Sequence, residues 1–173
     1  MAPTLRSTHP DATAALGRAL ARLLAPGDVV VLTGPLGAGK TRLVQGIAAG
    51  LDVPGRVTSP TFVLVRRHAG RLPLVHVDAY RLDAASDLTT LDDDVLADDV
   101  VTCIEWGGNV AAALPADRID VTLEVDGDDG DAPRTVTIVG QGATWHARAA
   151  ALDAALAELV ATTGTLAPAE GSA

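Results

Sequence analysis

Gly34, then four residues, then Gly39, Lys40 and Thr41 close the stretch VVVLTGPLGAGKT from Val29 to Thr41. This is the spacing of a phosphate-binding P-loop that follows a strand. Glycines at 34, 37 and 39 let the backbone curl so that successive N–H groups point inward, and the next helix adds its N-terminal dipole. Lys40 would reach the β- and γ-phosphates of a bound nucleotide, and the Thr41 hydroxyl would bind Mg²⁺. Gly34, Gly37, Ala38, Gly39, Lys40 and Thr41 are therefore the expected nucleotide-binding set. Lys40 is the only lysine among 13 basic residues.

Two acids and one hydroxyl extend this chemistry. Asp78 ends the apolar run Leu74-Val75-His76-Val77, and Glu105 ends Val100-Val101-Thr102-Cys103-Ile104. An acid at the C-terminal end of a strand in an open α/β sheet faces the ligand crevice. Glu105 could hold Mg²⁺ through water or polarise an attacking water. Thr61 follows Ser59-Pro60 in the segment after the P-loop helix. A hydroxyl in a mobile loop there can sense the γ-phosphate through Mg²⁺; an ordinary loop-to-strand junction fits the local pattern equally. His76 alternates with apolar neighbours and reads as a structural histidine. Lys40, Thr61, Asp78 and Glu105 together are what Mg²⁺-dependent nucleoside triphosphate hydrolysis requires. Guanine-specific hydrolases usually carry an Asn-Lys-x-Asp element. The only lysine already lies in the P-loop, which favours ATP over GTP.

The elements that must position these residues follow from periodicity. Thr8 as N-cap with Pro10 in the first turn predicts a helix to about 25–27, with Leu16, Leu20, Leu23 and Leu24 at helical spacing. Val29 to Leu32 reads as a buried parallel strand, and residues 40–51 as the helix after the loop. Thr61 is expected to begin the next strand, with a polar turn over 66–71 and a strand over 74–78. Residues 100–104 form a further strand. Strict alternation over 119–125 and again over 134–139 predicts an antiparallel hairpin. A helix over 144–160 and a disordered tail over 161–173 complete the chain. The expected fold class is α/β: a three-layer P-loop NTPase fold, with a mainly parallel central sheet and an antiparallel C-terminal hairpin. Residues 1–160 would form a single domain.

Composition agrees with a globular α/β domain: 48% hydrophobic residues but only 2% aromatic, so the core is built from Val, Leu, Ile and Ala. The net charge of −9 argues against a large basic nucleic-acid face. The acidic segment 83–99, with Asp92-Asp93-Asp94 at its centre, is expected to be a solvated helix end or loop. The single cysteine, Cys103, excludes an intrachain disulfide. No signal peptide or membrane span is visible, so a cytoplasmic protein with no membrane partner is expected.

Four motifs in order carry a family resemblance: Gly34-Pro35-Leu36-Gly37-Ala38-Gly39-Lys40-Thr41, Thr58-Ser59-Pro60-Thr61-Phe62, His76-Val77-Asp78-Ala79-Tyr80-Arg81-Leu82 and Ile104-Glu105-Trp106. The sequence resembles the small bacterial P-loop ATPases of tRNA threonylcarbamoyladenosine biosynthesis, the TsaE family, over roughly residues 10–140. The resemblance implies an ATPase using ATP and Mg²⁺. It would work with the proteins that transfer the threonylcarbamoyl group to adenosine 37 of tRNA, meeting tRNA only indirectly. By position it implies that Lys40 contacts phosphate and that Thr41 and Glu105 bind Mg²⁺. It also implies that Thr61 belongs to a switch-like loop, that Asp78 is a catalytic or metal-shell acid, and that Arg134 lies near the nucleotide. A small-molecule or nucleoside kinase on the same scaffold is the alternative; it should carry an arginine-bearing lid, and no Arg-rich segment follows Glu105.

Overall fold

The structure, a computed structural model, describes residues 2–62, 64–82, 88, 94–127 and 132–169. Among the described residues eight strands, numbered β1 to β8 in chain order, form one sheet arranged β3-β4-β5-β2-β6-β7-β1-β8. Strands β2 (Val29–Thr33), β4 (Leu74–Asp78), β5 (Val101–Glu105) and β6 (Arg118–Val125) are the parallel centre. Strand β3 (Val65–His68) runs antiparallel on one side of them. On the other side lie β7 (Arg134–Gln141), β1 (Thr4–Ser7) and β8 (Leu166–Pro168), each antiparallel to its neighbour. The helices among the described residues include α1 (Pro10–Ala21), α2 (Lys40–Gly50) and α3 (Gly142–Thr162), with a 3-10 helix at Gly107–Ala113. The fold is thus the α/β class expected, with its parallel centre and antiparallel C-terminal strands. No helix among the described residues is long and apolar enough to cross a membrane.

Strand periodicity divides the core. Val30, Leu32, Leu74, Val101, Cys103, Ile119 and Val121 pack with Leu16, Leu20, Leu43 and Ile47 of α1 and α2 and with Trp145, Leu152 and Leu156 of α3. The alternate residues Val29, Val31, Val75, Val77 and Ile104 pack with Ala79, Leu82, Leu88, Val95 and Val110. Side chains two apart on a strand share a face, so His76 and Asp78 of β4 and Glu105 of β5 project on the α2 side. That places the acids where α2 begins.

Helices α1 and α2 approach closely because glycine occupies their crossing. A Cβ at Gly46 would lie 2.1 Å from the Ala14 carbonyl oxygen, and one at Gly17 would lie 2.3 Å from that of Leu43. Gly46→Ala must force the helices apart. Overpacking of this kind costs about 1–3 kcal/mol, against roughly 1 kcal/mol of helix propensity regained. A lower denaturation midpoint in urea is expected, and an unchanged or raised midpoint would contradict this packing.

The start of α3 is anchored from outside. Asp117 Oδ2 accepts from the Thr144 hydroxyl (2.5 Å) and from the Thr144 N–H (3.2 Å). The hydroxyl bond, foremost, holds the Asp117 carboxyl below its ordinary range against the opposing effect of desolvation. A depressed folded-state pKa adds stability that is complete above the ordinary carboxylate pKa and is lost as pH falls through the depressed value. Asp117→Asn is therefore expected to lower the melting temperature at neutral pH. The gap from the unaltered protein should close as the melts are taken to acid; a gap independent of pH would refute this anchor.

Three local expectations are corrected. The N-cap of α1 is His9, not Thr8: His9 is extended and its Nδ1 accepts from the Asp11 N–H (3.1 Å). The Thr8 hydroxyl instead donates to the Thr165 carbonyl (3.2 Å). The strand expected from Thr61 begins only at Val65. The Leu64 N–H turns back to the Pro60 carbonyl (2.7 Å) and Leu64 has a left-handed φ of 67°, so the chain bends first. The expected tail is not wholly disordered, because α3 extends to Thr162 and β8 then pairs with β1. Leu166, only 4% exposed, joins the main core and holds this edge strand in place. Asp92, Asp93 and residues 83–87 of the acidic segment lie outside the described residues, as do 170–173.

Candidate nucleotide site

The loop after β2 is shaped by two backbone requirements. Gly34 has φ 146°, and a Cβ there would sit 2.2 Å from the Leu123 carbonyl oxygen of β6. Gly39, the N-cap of α2, has φ 105°. Both conformations suit glycine and few other residues. Ala38 is fully buried beneath the loop. At the start of α2, where unpaired N–H groups and the helix dipole favour an anion, Lys40 and Thr41 face the crevice.

Lys40 is largely buried, at 4% exposed. Its Nζ donates to the carbonyls of Gly34 (2.7 Å) and Pro35 (2.8 Å) and lies 3.8 Å from the centroid of the Trp106 ring. Burial pulls the ammonium below the ordinary lysine range, while the Glu105 and Asp78 carboxylates oppose that pull. Trp106 itself has φ 60°, an uncommon conformation for a bulky residue. It follows Glu105 directly, and its ring also meets that of Tyr80 at 5.0 Å, tilted by 57°.

Asp78 and Glu105 are register partners at the ends of β4 and β5. The Thr41 hydroxyl donates toward both Glu105 oxygens, at 2.8 Å to Oε1 and 3.0 Å to Oε2. His76 Nε2 lies 2.8 Å from Glu105 Oε1. On Asp78, Oδ2 accepts from the hydroxyls of Ser59 and Thr61, both at 2.8 Å, and Oδ1 accepts from the Tyr80 N–H (3.0 Å). Arg81 ties the same loop down by donating to the Thr61 carbonyl (2.5 Å). Asp78, Glu105, Ser59 and Thr61 line one cavity of about 470 Å³ together with Leu36, Lys40, Thr41, Tyr80 and Trp106. Phe62 (92% exposed) and Leu36 (88%) stand out as exposed apolar side chains.

Lys40, Thr41, Thr61, Asp78 and Glu105 are therefore brought together, as the sequence reading requires. Arg134 lies beside the loop instead of in the cavity lining: it donates to the carbonyls of Gly37 (3.3 Å) and Ala132. Three further side chains join these residues without having been expected to from sequence. Ser59 shares Asp78 with Thr61. Trp106 covers Lys40. His76, read as structural, reaches Glu105. The available signal for His76 was its period-2 spacing from Asp78, which puts both on one strand face.

The donor set is suited to a hard cation. A threonine hydroxyl and two carboxylates are all oxygen, the ligand type that Mg²⁺ takes. Among the described residues, no group of three or more His, Cys, Asp or Glu could hold a metal alone.

The sequence model of the family described as threonylcarbamoyl adenosine biosynthesis protein TsaE matches residues 7–135. The chain belongs to the TsaE family. Among TsaE relatives, tRNA threonylcarbamoyladenosine biosynthesis protein TsaE of Streptomyces coelicolor is 48% identical over 135 residues, covering 75% of this chain and 91% of its own. The protein of the same name from Bacillus subtilis is 37% identical over 136 residues, covering 78% and 85%. The crystal structure of Bacillus subtilis YdiB superposes with a TM-score of 0.70 at 29% identity, covering 93% of this chain and 97% of that one. The TsaE match spans the P-loop, the Ser59–Thr61 loop, Asp78 and Glu105.

Proposed function

We infer that this chain is a Mg²⁺-dependent ATPase serving tRNA threonylcarbamoyladenosine biosynthesis, and that it works with the proteins that carry out the threonylcarbamoyl transfer. The observation that carries this reading is the convergence of Lys40, Thr41, Asp78 and Glu105 on one cavity at the strand ends. Family membership and the names of the TsaE relatives supply the pathway.

Each residue has a part in hydrolysis. The P-loop N–H groups and the α2 N-terminus cradle the phosphates. Lys40 exchanges its bonds to Gly34 and Pro35 for phosphate oxygens and offsets the charge that develops on them. Bound Mg²⁺ would neutralise phosphate charge, held by Thr41 and Glu105. Asp78, with Ser59 and Thr61 on Oδ2, orients the attacking water or the metal's water shell. Thr61 couples that acid to the loop that carries exposed Phe62. Arg134 steadies the loop at Gly37. ATP is the nucleotide because no second lysine exists for a guanine-reading element. With a net charge of −9, the chain leaves the basic tRNA surface to its partners.

Phosphate release from ATP and GTP, with and without the partner complex, tests this function. ATP-selective hydrolysis that the partners stimulate is expected. Transfer of the phosphoryl group to an added small-molecule acceptor, or nucleotide binding without turnover in every mixture, would overturn it.

A further inference from the structure

His76 is fully buried in the centre of β4, among valines and leucines. A buried imidazole is costlier than an apolar side chain unless its polar atoms are bonded. Here only one nitrogen is: Nε2 lies 2.8 Å from Glu105 Oε1, while Nδ1 has no hydrogen-bond partner among the described residues. A histidine retained only for packing would gain nothing from this arrangement. Nε2 faces a carboxylate, so it carries the proton and donates it to that bond.

The register explains the reach. His76 pairs with Cys103 on the parallel strand β5, so Glu105 is its diagonal neighbour two residues further on, on the same face. Glu105 Oε1 accepts from both His76 and Thr41, whereas among the described residues Oε2 accepts from Thr41 alone, at the longer distance of 3.0 Å. The two carboxylate oxygens are therefore unequal. Once the Thr41 hydroxyl turns its oxygen to a metal, His76 is the remaining bond among the described residues that fixes the Glu105 side chain.

We propose that His76 is the positioning residue for Glu105: it anchors Oε1 so that Oε2 is presented to the metal and its water shell. This inference rests on the proposed function and adds to it the group that sets the metal-facing geometry. Hydrogen bonds to a ligating carboxylate from outside the metal shell typically govern metal affinity or activity by 10–100-fold.

Three substitutions separate positioning from packing. Gln places its amide nitrogen near the position of Nε2, Asn places its own near Nδ1, and Leu fills the space without a donor. Mn²⁺ binding in the presence of ADP, followed by electron paramagnetic resonance, gives a readout independent of turnover. His76→Asn and His76→Leu are expected to weaken Mn²⁺ binding and lower kcat by ~10–100-fold. ADP affinity in EDTA and the KM for ATP should change little. His76→Gln should restore most of both losses, and thermal melts will show that the three variants are folded. Gln no better than Leu, or metal binding and kcat indifferent to all three, would overturn the positioning role. Failure of the unaltered protein to bind Mn²⁺ with ADP would overturn the proposed function, and this inference with it.

Discussion

Lys40→Ala is expected to lower ATP turnover by at least ~10²–10³-fold, the cost of removing one positioned charge-stabilising donor. No other lysine exists to replace it, and its ammonium is the buried cation placed at the P-loop, between two backbone carbonyls and the Trp106 ring. Phosphoryl transfer leaves little covalent work to the protein, so loss of that charge falls directly on the transition state. Lys40→Arg should fare badly too, because a bulkier planar guanidinium does not reproduce the contacts of a compact ammonium with the Gly34 and Pro35 carbonyls. Phosphate-release rates and ATP-binding titrations on both variants check this, with melts to confirm folding. Turnover at the wild-type rate in Lys40→Ala would sink the hydrolytic reading.

Glu105→Ala is expected to separate binding from chemistry. The proposed phosphate cradle consists of the loop backbone, Lys40 and the α2 N-terminus, none of which Glu105 builds. Nucleotide affinity should therefore fall by less than about tenfold, while kcat should fall by ~10²–10³-fold as metal and water lose their orientation. The vacancy also unpairs the Thr41 hydroxyl and His76 Nε2, so part of the loss arises through them. Equal losses in affinity and kcat would mean that Glu105 is a structural carboxylate only.

Much of the site was legible because its signals are local. The glycine spacing of 34–39 specifies a left-handed, inward-curling backbone, and the structure has φ 146° at Gly34 and 105° at Gly39. The acids were legible from their places at strand ends. Their adjacency was not, because it depends on β4 and β5 being neighbours across a long intervening segment. The cover of Lys40 by Trp106 was hidden for another reason: it depends on the left-handed conformation of Trp106, which no residue pattern announces. His76 illustrates the limit of alternation, since one histidine among valines looks alike whether it packs or donates. At the C-terminus, β8 rests on a single buried leucine, too short a signal against surrounding Ala, Thr, Gly and Pro.

A crystal structure of the chain with Mg²⁺ and a non-hydrolysable ATP analogue tests the proposed site most directly. The expected result is the β- and γ-phosphates against Lys40 Nζ and the loop N–H groups, with the ion held by the Thr41 hydroxyl and, directly or through water, by Glu105. A nucleotide seated elsewhere, or an ion that touches neither Thr41 nor Glu105, would contradict it.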